Sequence, residues 1–266
     1  MNNLLRALSV IIGILLLNAC NNDFPKSDLH VHITSNFATN PTTRYEKAAA
    51  LSNKMGIVFG IAEEIETNDL RINDSVLTNR INLVKKLPLY LGLQVRQPGW
   101  RKLYSKKTLD NLDYIMEDAL RFPDNDGQVI FLWATDEEFT NPEDFMDRYV
   151  NYNLKVLSDS IQIWANPTYL PESLAKMYDE LWTEDRMKIL INAAIKNNIA
   201  IEINSNFQIP SKKFIQLAKA AGAHFTFGSN QHDINIGDIR WSIALATECK
   251  LKKKDFFIPK RVLMTK

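Results

Sequence analysis

Short apolar runs recur along the chain, separated by longer segments whose apolar positions repeat with helical spacing. The runs are Leu29–Ile33, Ile57–Ile61, Leu89–Val95, Tyr114–Ala119, Ile161–Trp164, Ile199–Ile203 and His224–Phe227. Near-continuous Ile, Val, Leu or Phe over four to seven residues is the pattern of strands covered on both faces in a parallel sheet. Amphipathic segments lie between most of them: Arg44–Met55, Asp69–Leu87, Asn141–Leu157, Pro171–Asn197 and Ser211–Ala221. Pro171-Glu172 is a helix start and Gly222 a helix stop. The stretch Pro123-Asp124-Asn125-Asp126-Gly127 separates Tyr114–Phe122 from Gln128–Trp133 and predicts a hairpin turn. Strand–helix alternation of this length predicts a single α/β domain, a TIM-like (β/α) barrel. An open doubly wound sheet is the alternative. The first strand is not followed by G-x-G-x-x-G or a P-loop, which disfavours a nucleotide cofactor.

The N-terminus has a different pattern. Arg6 precedes an apolar run, Ala7–Leu17, that is broken only by Ser9 and Gly13. This is the layout of a secretory signal, and it is shorter than the roughly 20 apolar residues of a membrane-spanning helix. A buried N-terminal helix is the other reading. The run ends in Leu17-Asn18-Ala19-Cys20, similar to a bacterial lipobox, although Asn18 is an unusual residue there. Residues 1–19 are therefore expected to be a lipoprotein signal peptide and Cys20 the lipidated residue. Residues 20–27 would be a tether and residues 28–266 the barrel domain. The expected location is the bacterial cell envelope, with the domain outside the cytoplasm and held to a membrane by lipid.

Composition narrows the function. The 266 residues carry 32 Lys+Arg against 31 Asp+Glu, without the basic excess of a general nucleic-acid binder. Two cysteines, Cys20 and Cys249, cannot build a disulfide framework or a Cys-rich zinc site. With 45% hydrophobic residues the chain can fill a core without either.

Functional groups of such barrels sit at the C-terminal ends of strands. Those ends offer His30 and His32; Glu63 and Glu64; Gln94 and Arg96; Glu117 and Asp118; Asn166; Glu202, Asn204 and Asn206; Asn230 and His232. Three of the four histidines fall in this set. Two histidines at i and i+2 on a strand share a face, which suits a metal ion as well as a hydrogen-bonded pair. Arg96 with Trp100 suits an anionic or sugar-like ligand, or else a solvated Arg beside a packing Trp. Asp136-Glu137-Glu138 reads as a solvated turn, and Tyr178 with Trp182 as core packing.

Asp28-Leu29-His30-Val31-His32, with the closing stretch Ile201-Glu202-Ile203-Asn204 to Phe227-Gly228-Ser229-Asn230-Gln231-His232, resembles the PHP superfamily of polymerase and histidinol-phosphatase-like metallohydrolases. The resemblance implies a distorted seven-stranded barrel and metal ligation by His30, His32 and His232. Departures are many: Ala62-Glu63-Glu64-Ile65 replaces T-D-H-D, Gln94 a bridging glutamate, Asn166 a histidine and Asn230 an aspartate. Each neutral replacement removes an anionic bridge between cations, so one divalent ion is expected, zinc first, with manganese or iron as alternatives. The resemblance then implies a metal-dependent, phosphoesterase-type hydrolase acting on a small molecule. In it Asp118 or Glu63 is a fourth ligand or general base, and Gln94, Arg96, Asn166, Asn204 and Asn230 contact substrate. The alternative is a catalytically inactive PHP-like barrel binding a sugar or phosphosugar, since amides suit hydroxyl-rich ligands.

Overall fold

The computed structural model describes residues 24–33, 40–64, 73–96, 99–232, 236–261 and 263. The signal-peptide and Cys20 expectations lie outside them. Seven strands form one parallel sheet: β1 (Ser27–Val31), β2 (Val58–Glu64), β3 (Tyr90–Val95), β4 (Tyr114–Glu117), β7 (Ile163–Trp164), β8 (Ala200–Asn204) and β9 (Phe225–Gly228). They follow one another around the sheet in chain order. The sheet curls until β9 meets β1, where Asn230 N–H donates to the His30 carbonyl (2.8 Å) and His32 N–H to that of Gln231 (3.1 Å). The fold is a TIM-like barrel of seven strands, nearly closed. All seven apolar runs are strands, each within a few residues of its expected bounds.

The remaining strands, β5 (Arg121–Pro123) and β6 (Val129–Phe131), pair antiparallel around the predicted turn. This hairpin is an excursion from the C-terminal end of β4. The run Tyr114–Phe122 is therefore not one strand; it breaks at residues 118–120.

Helices cover the outside of the sheet: α1 (Pro41–Met55), α2 (Asp74–Val84), α3 (Lys106–Leu109), α4 (Pro142–Val156), α5 (Glu172–Ala175), α6 (Tyr178–Leu181), α7 (Glu184–Lys196), α8 (Lys212–Ala220) and α9 (Arg240–Glu248). Local chemistry starts and stops them. Asn40, Asn73, Asn141, Thr183 and Ser211 cap first turns through side-chain oxygens, supplying acceptors to otherwise unpaired N–H groups. Gly56 ends α1 with φ +65°, a conformation that costs glycine little. The expected long helix 171–197 is three helices, because Thr183 turns extended and starts a new one.

Two apolar layers result. Alternate strand residues such as Ile61, Leu93, Trp164, Ile201 and Phe227 pack outward with the helices. Their neighbours Leu29, Ala62, Tyr90, Tyr114, Met116, Ile163 and Ala165 fill the barrel interior. Tyr114 reaches across the interior to donate to the Leu29 carbonyl at 2.7 Å. Its ring fits because Gly92 faces it; a Cβ there would lie 2.0 Å from the ring.

The fold also takes in residues before 28 and holds its C-terminal segment in place. Phe24, 8% exposed, packs against Phe227 and Phe256 (ring centroids 5.9 and 5.5 Å). Residues 24–27 thus belong to the barrel, not to a tether. Arg261 clamps the C-terminal segment to Asp113 by a bidentate pair (2.7 and 2.8 Å), so this end of the chain is anchored. Among the described residues no helix is long and apolar enough to cross a membrane.

Candidate functional site

Strand parity decides which side chains meet at the C-terminal mouth of the barrel. Inner positions of β2, β3 and β8 carry Gly60, Ala62 and Glu64; Tyr90, Gly92 and Gln94; and Glu202 and Asn204. Past the ends of β4, β7 and β9 come Asp118, Asn166 and Asn230. His30 and His32 join them from β1, where the register slips between Asp28 and Val31. Glu63 has the opposite parity. It faces the helices and bonds to Tyr45 of α1 and Arg80 of α2. The expectation that Glu63 serves the site is corrected: its carboxylate is committed to structural partners outside the barrel. Trp100 leaves the site too, being fully buried with its indole N–H on Asp159 (2.9 Å).

His30 is the centre of the arrangement. It is fully buried, and its Nδ1 lies 2.7 Å from Glu202 Oε1. Glu202 Oε2 accepts from the backbone N–H of Asn166 at 2.6 Å and from Asn204 Nδ2 at 3.3 Å. Gly228 leaves the space for this pair, since a Cβ there would meet Glu202 Oε1 at 1.9 Å and His30 Cβ at 2.8 Å. Burial pulls the His30 pKa down. The Glu202 charge and hydrogen bond, helped by Asp118 and Asp28, outweigh that and leave it raised. Because Nδ1 is engaged, His30 presents Nε2, which is buried and has no hydrogen-bond partner among the described residues.

Amides line the space around it. Gln94 donates to Asp118 Oδ2 at 2.7 Å and Asn166 Nδ2 donates to the same oxygen at 3.2 Å. Asn204 and Asn230 both donate to Asn166 Oδ1, at 2.8 and 3.1 Å. Asn166 and Asn230 adopt positive φ, 48° and 47°, a costly conformation outside glycine that clusters at functional sites. Asp118, Gln94, Asn166, Asn204 and Asn230 are thus brought together as one buried network. Asp118 accepts a third bond at Oδ1, from Leu120 N–H at 3.0 Å, so both its oxygens are engaged by the protein.

A second cluster adjoins the first. His32 Nδ1 lies 3.3 Å from Glu64 Oε1, an oxygen that also accepts from Arg96 Nη2 at 2.6 Å. The His32 ring stacks on His232 (centroids 4.2 Å, interplanar angle 13°) and meets His30 edge-on at 5.0 Å. Burial, then the neighbouring imidazoles and Arg96, hold the His32 pKa well below the usual histidine range. His32 is therefore neutral at pH 7, and its Nε2 is buried without a partner. One donor atom each of His32, Glu64 and His232 lie within 4.8 Å of one another. Of the three expected ligands, the structure groups His32 and His232 with Glu64, while His30 sits alongside with Glu202 behind it. Glu64 and Glu202 stand among the strand-end groups of the sequence, but the sequence assigned neither of them a role in the site. Parity was the available signal, since each lies two residues from a named position or continues its inward face.

Asp28 fastens this end of the barrel. Its carboxylate accepts from Ser229 N–H (2.9 Å), His30 N–H (3.2 Å) and Gly237 N–H (3.1 Å). Complete burial pushes its pKa up to about 6 despite those donors. The turn at Asp136–Glu138 is solvated, and Trp182 is core, donating to the Thr168 carbonyl.

No protein-family model and no curated protein matches the chain. Among solved structures, a β-mannanase of Thermomonospora fusca in complex with mannotriose is 15% identical. The match covers 84% of this chain and 75% of that one, with a TM-score of 0.47. An archaeal ribonuclease P with mature tRNA is 10% identical over 84% and 89% of the two chains, at a TM-score of 0.42. A β-mannanase from Streptomyces thermolilacinus is 14% identical over 85% and 77%, also at 0.42. These likenesses concern the fold alone.

The expectation of a PHP-like phosphoesterase, and of its inactive PHP-like alternative, is corrected. The solved structures named above are β-mannanases and a ribonuclease P, none of them a PHP phosphoesterase. Within the site two inward carboxylates are engaged by protein donors: Glu202 holds His30 and Asn166, and Asp118 holds Gln94, Asn166 and Leu120.

Proposed function

We propose that the barrel mouth binds a hydroxyl-rich small molecule and moves a proton on it through His30. The observation that carries this is the buried His30 Nε2, unpartnered while Nδ1 is fixed on Glu202 at 2.7 Å. An imidazole oriented by a carboxylate is equipped to accept and return a proton at its other nitrogen. The surrounding amides of Gln94, Asn166, Asn204 and Asn230 offer donors and acceptors of the kind that pair with vicinal hydroxyls. Gln94 Oε1 is a further buried acceptor without a partner.

The donor set also fits one divalent cation. His32, Glu64 and His232 would hold it, one donor atom of each already lying within 4.8 Å of the others. When bound, such an ion supplies Lewis acidity to a ligand oxygen. Arg96 stays on Glu64 and limits the charge that the carboxylate adds.

A thermal-shift screen of monosaccharides, polyols and sugar acids tests the reading, run on the wild-type protein and on His30→Ala. Stabilisation of the wild type that the variant loses supports it. Stabilisation by none of these classes, or equal stabilisation of both proteins, overturns it.

Export and lipid attachment at Cys20 remain our proposal from residues 1–20. Palmitate labelling in a bacterial host that Cys20→Ser abolishes supports it; unchanged labelling of that variant does not.

A further inference from the structure

The hairpin from the end of β4 exposes aromatic surface beside the mouth. Inward-facing Phe122 and Leu132 are about 1% exposed, whereas Phe131 and Trp133 are 42% and 41% exposed and Val129 is 54% exposed. Phe131 and Trp133 meet edge to face at 5.1 Å, which fixes the indole plane. The indole is tied to the site by contact: Arg96 lies over its ring at 5.7 Å, and the same guanidinium bonds to Glu64, which bonds to His32. Trp133 is unlike the other tryptophans. Trp100, Trp164 and Trp182 are buried in the core and Trp241 packs against it.

Arg121 covers the Phe131 ring at 5.2 Å; leaving both aromatic side chains partly in water still forgoes burial that the core could use, and exposed apolar surface beside a polar cleft marks binding. A pyranose has the matching shape. Its C–H face is apolar and stacks on a flat aromatic ring, while its rim carries hydroxyls for amides and carboxylates.

We infer that Trp133, braced by Phe131 and Arg96, is a stacking subsite for a second sugar ring. The ligand is then a disaccharide or longer, with one ring in the amide-lined mouth and the next on the indole. This rests on the proposed hydroxyl-rich ligand of the mouth and adds its length and the place of its second ring. The hairpin is a loop excursion, and such loops in a barrel are free to vary without disturbing the strands.

The test uses protein labelled with 5-fluorotryptophan, whose five tryptophans give separate fluorine resonances, Trp133 being assigned with Trp133→Phe. The probes are cellobiose and β-1,4-mannobiose, each against its methyl β-pyranoside, so both epimers at C2 are sampled. The expected result is a shift of the Trp133 resonance with disaccharide only, and disaccharide affinity about tenfold above the monosaccharide. Trp133→Ala removes that advantage and leaves the methyl glycoside unaffected. Trp133→Leu, which keeps apolar volume without a flat face, loses it too, while His30→Ala weakens both ligands. A disaccharide advantage that survives Trp133→Ala, or an absent advantage with intact monosaccharide binding, overturns the subsite and leaves the mouth standing. Binding of no sugar overturns the subsite and the hydroxyl-rich ligand together. Circular dichroism melts confirm that each variant is folded.

Discussion

Glu117 provides a quantitative test of the strand parity on which the site rests. It is the last residue of β4 and points away from the mouth, 2% exposed, toward Trp100 and Asp159. Burial, and then the nearby charges of Asp159 and Asp118, push its pKa from 4.5 up to about 9. Arg101 pairs with Asp159 at 3.2 Å rather than with Glu117, and the buried Glu117 keeps its proton. The consequence for stability has a definite sign. Between pH 4.5 and about 9 the folded chain holds a proton on Glu117 that the unfolded chain releases. Folding stability therefore falls as pH rises through that window, by about 1.4 kcal/mol per unit. Glu117→Gln keeps the shape and removes the ionisation of the unfolded state. The variant is expected to gain up to about 3 kcal/mol at pH 7, little at pH 4.5, and more at pH 8. Urea unfolding of both proteins at half-unit steps from pH 5 to 8 measures the difference. A pH-independent difference, or a variant less stable than the wild type at pH 8, would refute the assignment of a buried, protonated Glu117.

Three further outcomes follow from the packing and the site. Gly228→Ala places a Cβ 1.9 Å from Glu202 Oε1; it is expected to separate Glu202 from His30 and lower the His30 pKa. Histidine-selective NMR titration reads this, and an unchanged titration refutes it. Gly92→Ala drives a methyl into the Tyr114 ring and is expected to cost about 3 kcal/mol, the upper end of overpacking effects, in chemical denaturation. Zinc, added to chelator-treated protein and followed by calorimetry, is expected to bind one ion per chain and to lose at least about tenfold in affinity in His232→Ala. Equal binding by the variant removes His232 from the cation site.

How much of this could be read from the chain depends on the range of the interaction involved. Strands buried on both faces leave a local mark, an unbroken apolar run, and all seven runs became neighbouring strands. The turn at 123–127 is equally local, since Asp124 Oδ1 accepts from Asp126 and Gln128 within the turn itself. Which carboxylate enters the mouth is intermediate. Phe59 and Ile61 pack outward, so Glu63 must follow them and Glu64 must not; period two contains that answer. Pairing Glu202 with His30 is different, because 172 residues separate them and only closure of β9 on β1 brings them together. The same holds for the exposed face of the hairpin. Gln128–Trp133 alternates, with Val129, Phe131 and Trp133 on one side and Ile130 and Leu132 on the other, so both sides look fit for a core. In the fold Leu132 turns inward, while Arg96 is the only contact from the mouth to the opposite face among those described. Parity names the inward side chains, closure sets His30 against Glu202, and that pairing leaves Nε2 as the atom a ligand must meet.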